Sequence, residues 1–308
     1  MEQFKIIIAG LDNAGKTSSL IALRQKYNFY EMVKNLRPTI KIEYSSFNFL
    51  NKWDVLVWDM GGQSKYRKIY LGKPAYFIDT NFMYYFIDIQ DEERISQSIN
   101  YLNELLKIYQ DLEYENEIII CLHKYDPKLR RDGTILKRIQ EVKKLIKQNE
   151  DFKFKFYRTS IYDISSISKA ISFSLNTLVD LTPIHLSLQN FMRQFNGNHI
   201  VLYTDDGIIL GDYYREVLDT IEYKEKISNK INEDLILIQK LKDKHVEFTE
   251  RLTNFKDSLE YLKKYEIENN TFYLKINTPD LENEKIQLMK RNFKEFEKDL
   301  IIVFEDKK

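Results

Sequence analysis

The 308-residue sequence contains a single cysteine, so no intrachain disulfide can staple it. That residue, Cys121, lies inside an apolar run, where a small buried hydrophobe is expected rather than a reactive thiol. An excess of one charge is also missing. With 47 basic residues against 47 acidic ones, a protein that grips nucleic acid by neutralising phosphates is disfavoured. No apolar run is long enough to span a bilayer, and the opening MEQFK has no signal-peptide pattern. Glu2 rather than glycine excludes N-myristoylation, and the terminal FEDKK offers no cysteine for prenylation. Repeats and low-complexity tracts are absent too. The expectation is a soluble, cytoplasmic protein. What the chain does hold is 14% aromatic residues, enough for a sizeable core. Those rings could stack bases, but without a basic face core packing is the better use of them.

The length suits two domains. The first half alternates apolar bursts with amphipathic stretches, the pattern of a layered α/β domain. Phe4 to Ala9 reads as a buried strand, followed by a glycine-bounded turn and a helix from about Lys16. WDVLVWDM, FMYYFIDI, EIIICLHK and FKFYRTSIYD read as further strands. Between them lie helical patterns such as Ile99, Leu102, Leu105, Leu106 and Tyr109. Thr182 and Pro183 mark a change of unit, giving domains 1–183 and 184–308. Past it, Leu188, Phe191, Met192 and Phe195 keep helical spacing, and Gly197 fits the stop. HIVLY and IILGDYY then read as a hairpin closed by Asp206 and Gly207. Ile227, Ile231, Leu235 and Ile238 share one face of a long helix. Residues 246–265 fit either a helix through Phe248, Leu252, Phe255, Leu259 and Leu262 or a strand near Tyr265. TFYLKI is a strand, and the lysine-rich segment after Pro279 a final helix.

GLDNAGKT, Gly10 through Thr17, matches glycine, four residues, Gly-Lys-Ser/Thr. Such a loop turns consecutive backbone N–H groups of Asp12, Asn13, Ala14, Gly15, Lys16, Thr17 and Ser18 around a polyphosphate, and the following helix adds its dipole. Lys16 reaches the β- and γ-phosphates, and the Thr17 hydroxyl can ligate Mg²⁺. Its place at a strand-to-helix junction is the context this loop requires; a plain surface turn would not need it. VWDMGGQ, Val57 to Gln63, is the second signal. Asp59 can hold Mg²⁺ through a water, Gly62 lets its backbone N–H approach the γ-phosphate, and Gln63 can orient an attacking water. Thr39 in LRPTI could close over the metal when a γ-phosphate is present. Taken alone it is only a polar residue at a strand start. Tyr66 and Tyr70 suit partner contact or burial against the sheet equally.

CLHKYD, Cys121 to Asp126, could be a metal site, an acid–base pair or a loop that reads a small molecule. The other histidines, His185, His199 and His245, are scattered in the second domain, which leaves too few ligands for a metal. Beside a phosphate loop the third reading wins. Asp126 can accept from the N1–H and 2-amino group of guanine, whereas adenine would leave the carboxylate unpaired. The stem of Lys124 can lie along the base, His123 can bond the loop or the base, and Ser160 with the Ile161 backbone can close from the next strand end.

GLDNAGKTS, RPTI, WDMGGQSKYR and FIDIQDEERI resemble the Arf group of Ras-superfamily GTPases, while HKYD and FYRTSIYD resemble the Rag (Gtr) group. The resemblance covers nearly the whole chain, since LQNFMRQFNGNHIVLYTDDGIIL is similar to the start of the roadblock-type domain of Rag proteins. It implies a P-loop G domain with a doubly wound, mostly parallel sheet, followed by a smaller roadblock-like α/β domain. It also implies a strand ending near Tyr265. The implied activity is Mg²⁺-dependent binding and slow hydrolysis of GTP, with GTP and GDP as switch ligands. The implied partners are a related GTPase in a homo- or heterodimer, or a roadblock or longin scaffold. The amphipathic N-terminal helix of Arf proteins is missing before the first strand, so contact with a membrane would be indirect, through a partner. Arg37, two residues before Thr39, departs from both groups and could act as an arginine finger in cis. Two other readings compete: an assembly protein that keeps its nucleotide as a structural element, and an ATP-using kinase or ATPase, which Asp126 disfavours.

Overall fold

The computed structural model of the chain describes residues 2–25, 29–49, 53–178, 181–205, 207–267, 270–279, 287, 289–293, 296–298 and 300–301. It divides into two compact units, 1–170 and 171–308. In the first unit the elements run β1 (Glu2–Gly10), α1 (Lys16–Gln25), α2 (Phe29–Lys34), β2 (Ile42–Phe49), β3 (Trp53–Met60), α3 (Ser64–Leu71), β4 (Phe82–Asp88), α4 (Ile95–Asp111), β5 (Ile118–His123), α5 (Gly133–Ile146) and β6 (Phe154–Arg158). Helix α6 (Ile164–Leu178) then runs across the division. The division falls before the expected change of unit at Pro183. One cause is visible in the later half of α6: Ser172 Oγ accepts from the Ile209 amide at 2.9 Å, and Asn176 donates to the Ile209 carbonyl at 3.1 Å.

The six strands of the first unit form one sheet in the order β2-β3-β1-β4-β5-β6. All neighbours are parallel except β2, which runs antiparallel to β3. The central strands are apolar runs because helices cover both faces. Residues 82–87 of β4 and all of β5 are buried. Strand β2 was not among the strands read from sequence. It sits at the edge with Glu43, Tyr44 and Ser46 exposed, so it carries no buried run to betray it. Because β1, β3, β5 and β6 are parallel, the segments after Gly10, Met60, His123 and Arg158 all leave the same edge of the sheet. The chain builds outward from β1 in both directions, and ligand sites of such sheets lie at this reversal.

The second unit holds α7 (Thr182–Phe195), β7 (His199–Thr204), β8 (Ile209–Tyr214), α8 (Ile221–Asp243), β9 (Glu250–Phe255), β10 (Ser258–Ile267) and β11 (Asn270–Thr278). Its sheet is antiparallel in the order β8-β7-β11-β10-β9. Helix α7 begins with Pro183 in its first turn and stops on Asn196, in left-handed conformation at φ 50°. The stop is therefore one residue before the expected Gly197, since asparagine tolerates that conformation too. Asp206 of the expected β7–β8 turn lies outside the described residues, while Gly207 takes φ 75°. Residues 246–265 form no helix: β9 and β10 are a hairpin, and β10 ends at Ile267, near the strand end expected around Tyr265. Leu252 and Phe255 had matched helical spacing, but both are exposed on an edge strand. Most of the expected last helix lies outside the described residues; those described from 287 to 301 are helical.

Candidate functional site

Strand β1 ends at Gly10 with φ 141°, where a Cβ would stand 2.4 Å from the Phe86 carbonyl oxygen on β4. The chain then turns through Asn13 (φ 61°) and Gly15 (φ 89°) into α1. A Cβ at Gly15 would meet the His123 ring at 2.3 Å, so this position has neither room nor backbone for a side chain. Lys16 is buried under the loop and donates to the carbonyls of Leu11 (2.8 Å) and Gly10 (3.2 Å). Burial pulls its pKa down to about 8 against the opposing pull of Asp59 and Asp12. An anion held beside it would remove that penalty. Asp12, Asn13, Gly15, Lys16, Thr17 and Ser18 all line a cavity of about 510 Å³. Ala14 does not: its side chain is buried, and its amide turns back to the Leu11 carbonyl at 3.4 Å.

At one end of the cavity three oxygen donors from three segments meet. Thr17 Oγ1 lies 2.8 Å from Thr39 Oγ1 and donates to Asp59 Oδ2. Its single proton goes to the carboxylate, so Thr39 donates to Thr17. Hard oxygens suit Mg²⁺, and the spacing of the hydroxyls matches an octahedral edge, about 2.9 Å for ligands near 2.05 Å. This donor set fits the ion, with Asp59 standing behind Thr17. The segment carrying Thr39 is pinned to the end of β3: the Gly61 amide and the Tyr70 hydroxyl both donate to the Lys41 carbonyl, at 2.7 and 2.6 Å. Tyr70 is thereby buried, as is Tyr66, and the alternative of partner contact for these rings drops out. Gly62 packs so closely that a Cβ would stand 2.1 Å from the Asp12 amide nitrogen. Gln63 begins α3 with no cap made by its side chain and lines the cavity, as does the exposed Arg37.

The other end is built around Asp126. Ser160 Oγ donates to its Oδ1 at 2.7 Å and Gln90 Nε2 to its Oδ2 at 3.1 Å. Gln90 also donates to the Lys124 carbonyl at 2.7 Å, bracing a residue held at φ 61°. Lys124 Nζ pairs with Asp88 Oδ2 at 2.6 Å, which stretches its stem along the cavity wall. Ile161 lines the cavity next to the exposed Tyr162, whereas Ser160 supports Asp126 from outside it. His123 is buried, with Nδ1 2.9 Å from Thr159 Oγ1 and Nε2 3.4 Å from Ser19 Oγ. Burial drops its pKa to about 3, so the ring is neutral. It ties the phosphate loop to the base end rather than standing free. Among the described residues no group of three His, Cys, Asp or Glu side chains is placed to hold a metal.

Asp88, Gln90 and Arg94 were missed by sequence reasoning. They lie in FIDIQDEER, at and just past the end of β4, and the signal was there: a parallel strand beside the phosphate strand ends at the same edge of the sheet, where Gln90 lines the cavity and Asp88 and Arg94 line an adjoining hollow.

Comparison with known proteins identifies the family. The family description "Gtr1/RagA G protein conserved region" matches residues 5–231. The chain is 24% identical to the Ras-related GTP-binding protein A of Dictyostelium discoideum over 303 residues, covering 95% of this chain and 97% of that protein. It is 29% identical to the ADP-ribosylation factor-like protein 3 of Saccharomyces cerevisiae over 143 residues, covering 46% of this chain and 68% of that one. Among solved structures, the Arl6 BBS3 small GTPase from Trypanosoma brucei with bound GppNp aligns with TM-score 0.44 and 19% identity, over 57% of this chain and 96% of that chain. Both the Rag-like and the Arf-like resemblances read from the motifs thus return among its relatives. The chain is a Ras-superfamily GTPase that belongs to the Gtr1/RagA G-protein family.

Proposed function

We propose that this chain is a GTP-binding and GTP-hydrolysing switch, dependent on Mg²⁺. The observation that carries it is one cavity with Lys16, Thr17, Thr39, Gly62 and Gln63 at one end and Lys124 and Asp126 at the other. The amides of Asp12, Asn13, Gly15, Lys16, Thr17 and Ser18 cradle the phosphates, and Lys16 regains full charge against them. Asp126 takes the Watson–Crick donors of guanine, with Lys124 along the ring. Thr17 and Thr39 would hold Mg²⁺, with Asp59 acting through a water. When bound, that ion neutralises charge on the β- and γ-phosphate oxygens. Gln63 orients a water for in-line attack on the γ-phosphate. With that phosphate gone Thr39 loses its reason to stay, and the segment around it carries the signal. Slow intrinsic turnover is the expectation, with Gln63 the residue assigned to the water.

The second unit is proposed as a roadblock-like dimerisation domain, joining a related GTPase or docking on a roadblock or longin scaffold. Its open β9 edge with exposed Leu252 and Phe255 supports this. A cytoplasmic protein recruited to membranes through a partner is the setting proposed. Phosphate release over many turnovers tests the switch reading, with Gln63→Leu as control. A rate that falls at least tenfold supports it. Measurable turnover indifferent to that substitution favours a nucleotide-locked assembly protein.

A further inference from the structure

Arg94 stands in the turn between β4 and α4 and reaches the phosphate loop from its outer side. Its Nη2 lies 2.6 Å from Asp12 Oδ1, and its Nη1 donates to the Asp12 carbonyl at 3.3 Å. The guanidinium so grips both side chain and main chain of one loop residue, with Asp91 Oδ2 4.0 Å away on its own turn. Asp12 lines both the nucleotide cavity and a small adjoining hollow, and Arg94 lines that hollow. Asp12 also belongs to the γ-phosphate end, since it is the Asp12 amide that Gly62 abuts. A carboxylate there repels an incoming polyphosphate, and a third phosphate most of all. Both side chains are part-exposed, Arg94 at 32% and Asp12 at 43%. A pair that open contributes little to folding stability. Its consequence lies in the field it leaves at the loop.

Resting on the GTPase reading, we propose that Arg94 is the counter-charge that lets Asp12 sit beside a triphosphate, and that this pair sets the preference for GTP over GDP. Arg94 acts through Asp12 and touches no substrate; it is a positioning residue. The test is equilibrium binding of GTP and GDP with Mg²⁺ to the full chain, in the wild type, Arg94→Ala, Asp12→Asn and the double variant. Arg94→Ala is expected to weaken GTP about tenfold, the scale of one charged contact, and to weaken GDP far less. The loss should shrink in high salt. Asp12→Asn in the Arg94→Ala background should restore GTP binding, which no loss of mere bracing would allow. Arg94→Lys keeps the charge and should retain most of the affinity, a check on folding as well. Wild-type-like GTP binding by Arg94→Ala, or a double variant no better than the single one, overturns the assignment. A wild-type chain that binds no guanine nucleotide sinks the GTPase reading itself, and this with it.

Discussion

A carboxylate offers about four lone-pair sites, and at Asp126 two are occupied by the protein itself. Ser160 takes one on Oδ1 and Gln90 one on Oδ2, which fixes the plane and leaves one on each oxygen for a ligand. Guanine presents two donors at matching spacing. Asp126→Ala is therefore expected to weaken GTP more than tenfold while leaving ATP affinity unchanged, read by competition against a fluorescent GTP analogue. An equal loss for both nucleotides would put the selectivity elsewhere. His123 makes a different contribution. Its ordinary pKa of 6.5 falls to about 3 on burial, and buried His199 shifts likewise. The unfolded chain binds these protons first, so stability is lost as pH falls from about 6.5 towards 3. Urea unfolding across that window should show a shallower decline for His123→Asn, while His199 and the carboxylates of Glu250 and Glu260, whose pKa values are also lowered, contribute to what remains. The motif residues were legible because each chemistry needs a given residue type at a given place in its motif. What His123 bonds was not, since Thr159 and Ser19 come to it from distant parts of the chain.

Five segments leave one edge of the sheet at the carboxyl ends of parallel strands, and their mutual distances decide whether the site closes. Gly62 is the tightest joint, with the Asp12 nitrogen 2.1 Å and the Leu11 carbonyl carbon 2.2 Å from where a Cβ would be. Backbone on both sides cannot step back. Gly62→Ala should push the β3–α3 turn away from the phosphate loop, costing about tenfold in GTP affinity or more while GDP binding holds. Equal loss of GTP and GDP would show damage to the loop at large instead. Elements of this kind were readable where burial is one-sided or complete: β1, β4 and β5 are apolar runs, and α4 has its stripe. Edge elements were not, because their residues serve two environments. Strand β2 escaped notice, and β9 passed for part of a helix, for that one reason. Tyr66 and Tyr70 stayed undecided from sequence for a related one. An exposed and a buried tyrosine on a helix have the same spacing, and only the Lys41 carbonyl, which accepts the Tyr70 hydroxyl, tells them apart.

The two units carry charge in different ways. In the first, the buried ammonium of Lys16 lies beside a cavity. In the second, charge is closed upon itself: Lys275 on β11 is fully buried, 2.6 Å from Asp234 on α8 and 2.9 Å from Glu260 on β10. Arg251 and Lys230 reach the same two carboxylates from the rim. Deleting one partner of such a cluster strands the others and costs roughly 3–5 kcal/mol. A ligand acts in the opposite sense, adding about 4 kcal/mol at a thousand times its dissociation constant. Calorimetry can use both handles on one chain. GTP with Mg²⁺ should raise the melting of the first unit alone, and Lys275→Met should lower that of the second alone by several degrees. If both perturbations instead move one shared transition, the units fold as one cooperative body, and α6 is the element that joins them. In that case nucleotide loss should also lower the stability of the antiparallel sheet, measurable as faster amide exchange in β10 and β11 of the GDP-free chain. Two separate transitions would leave exchange there unchanged by nucleotide, and any message from the cavity to the second sheet would have to pass through partners rather than through the fold.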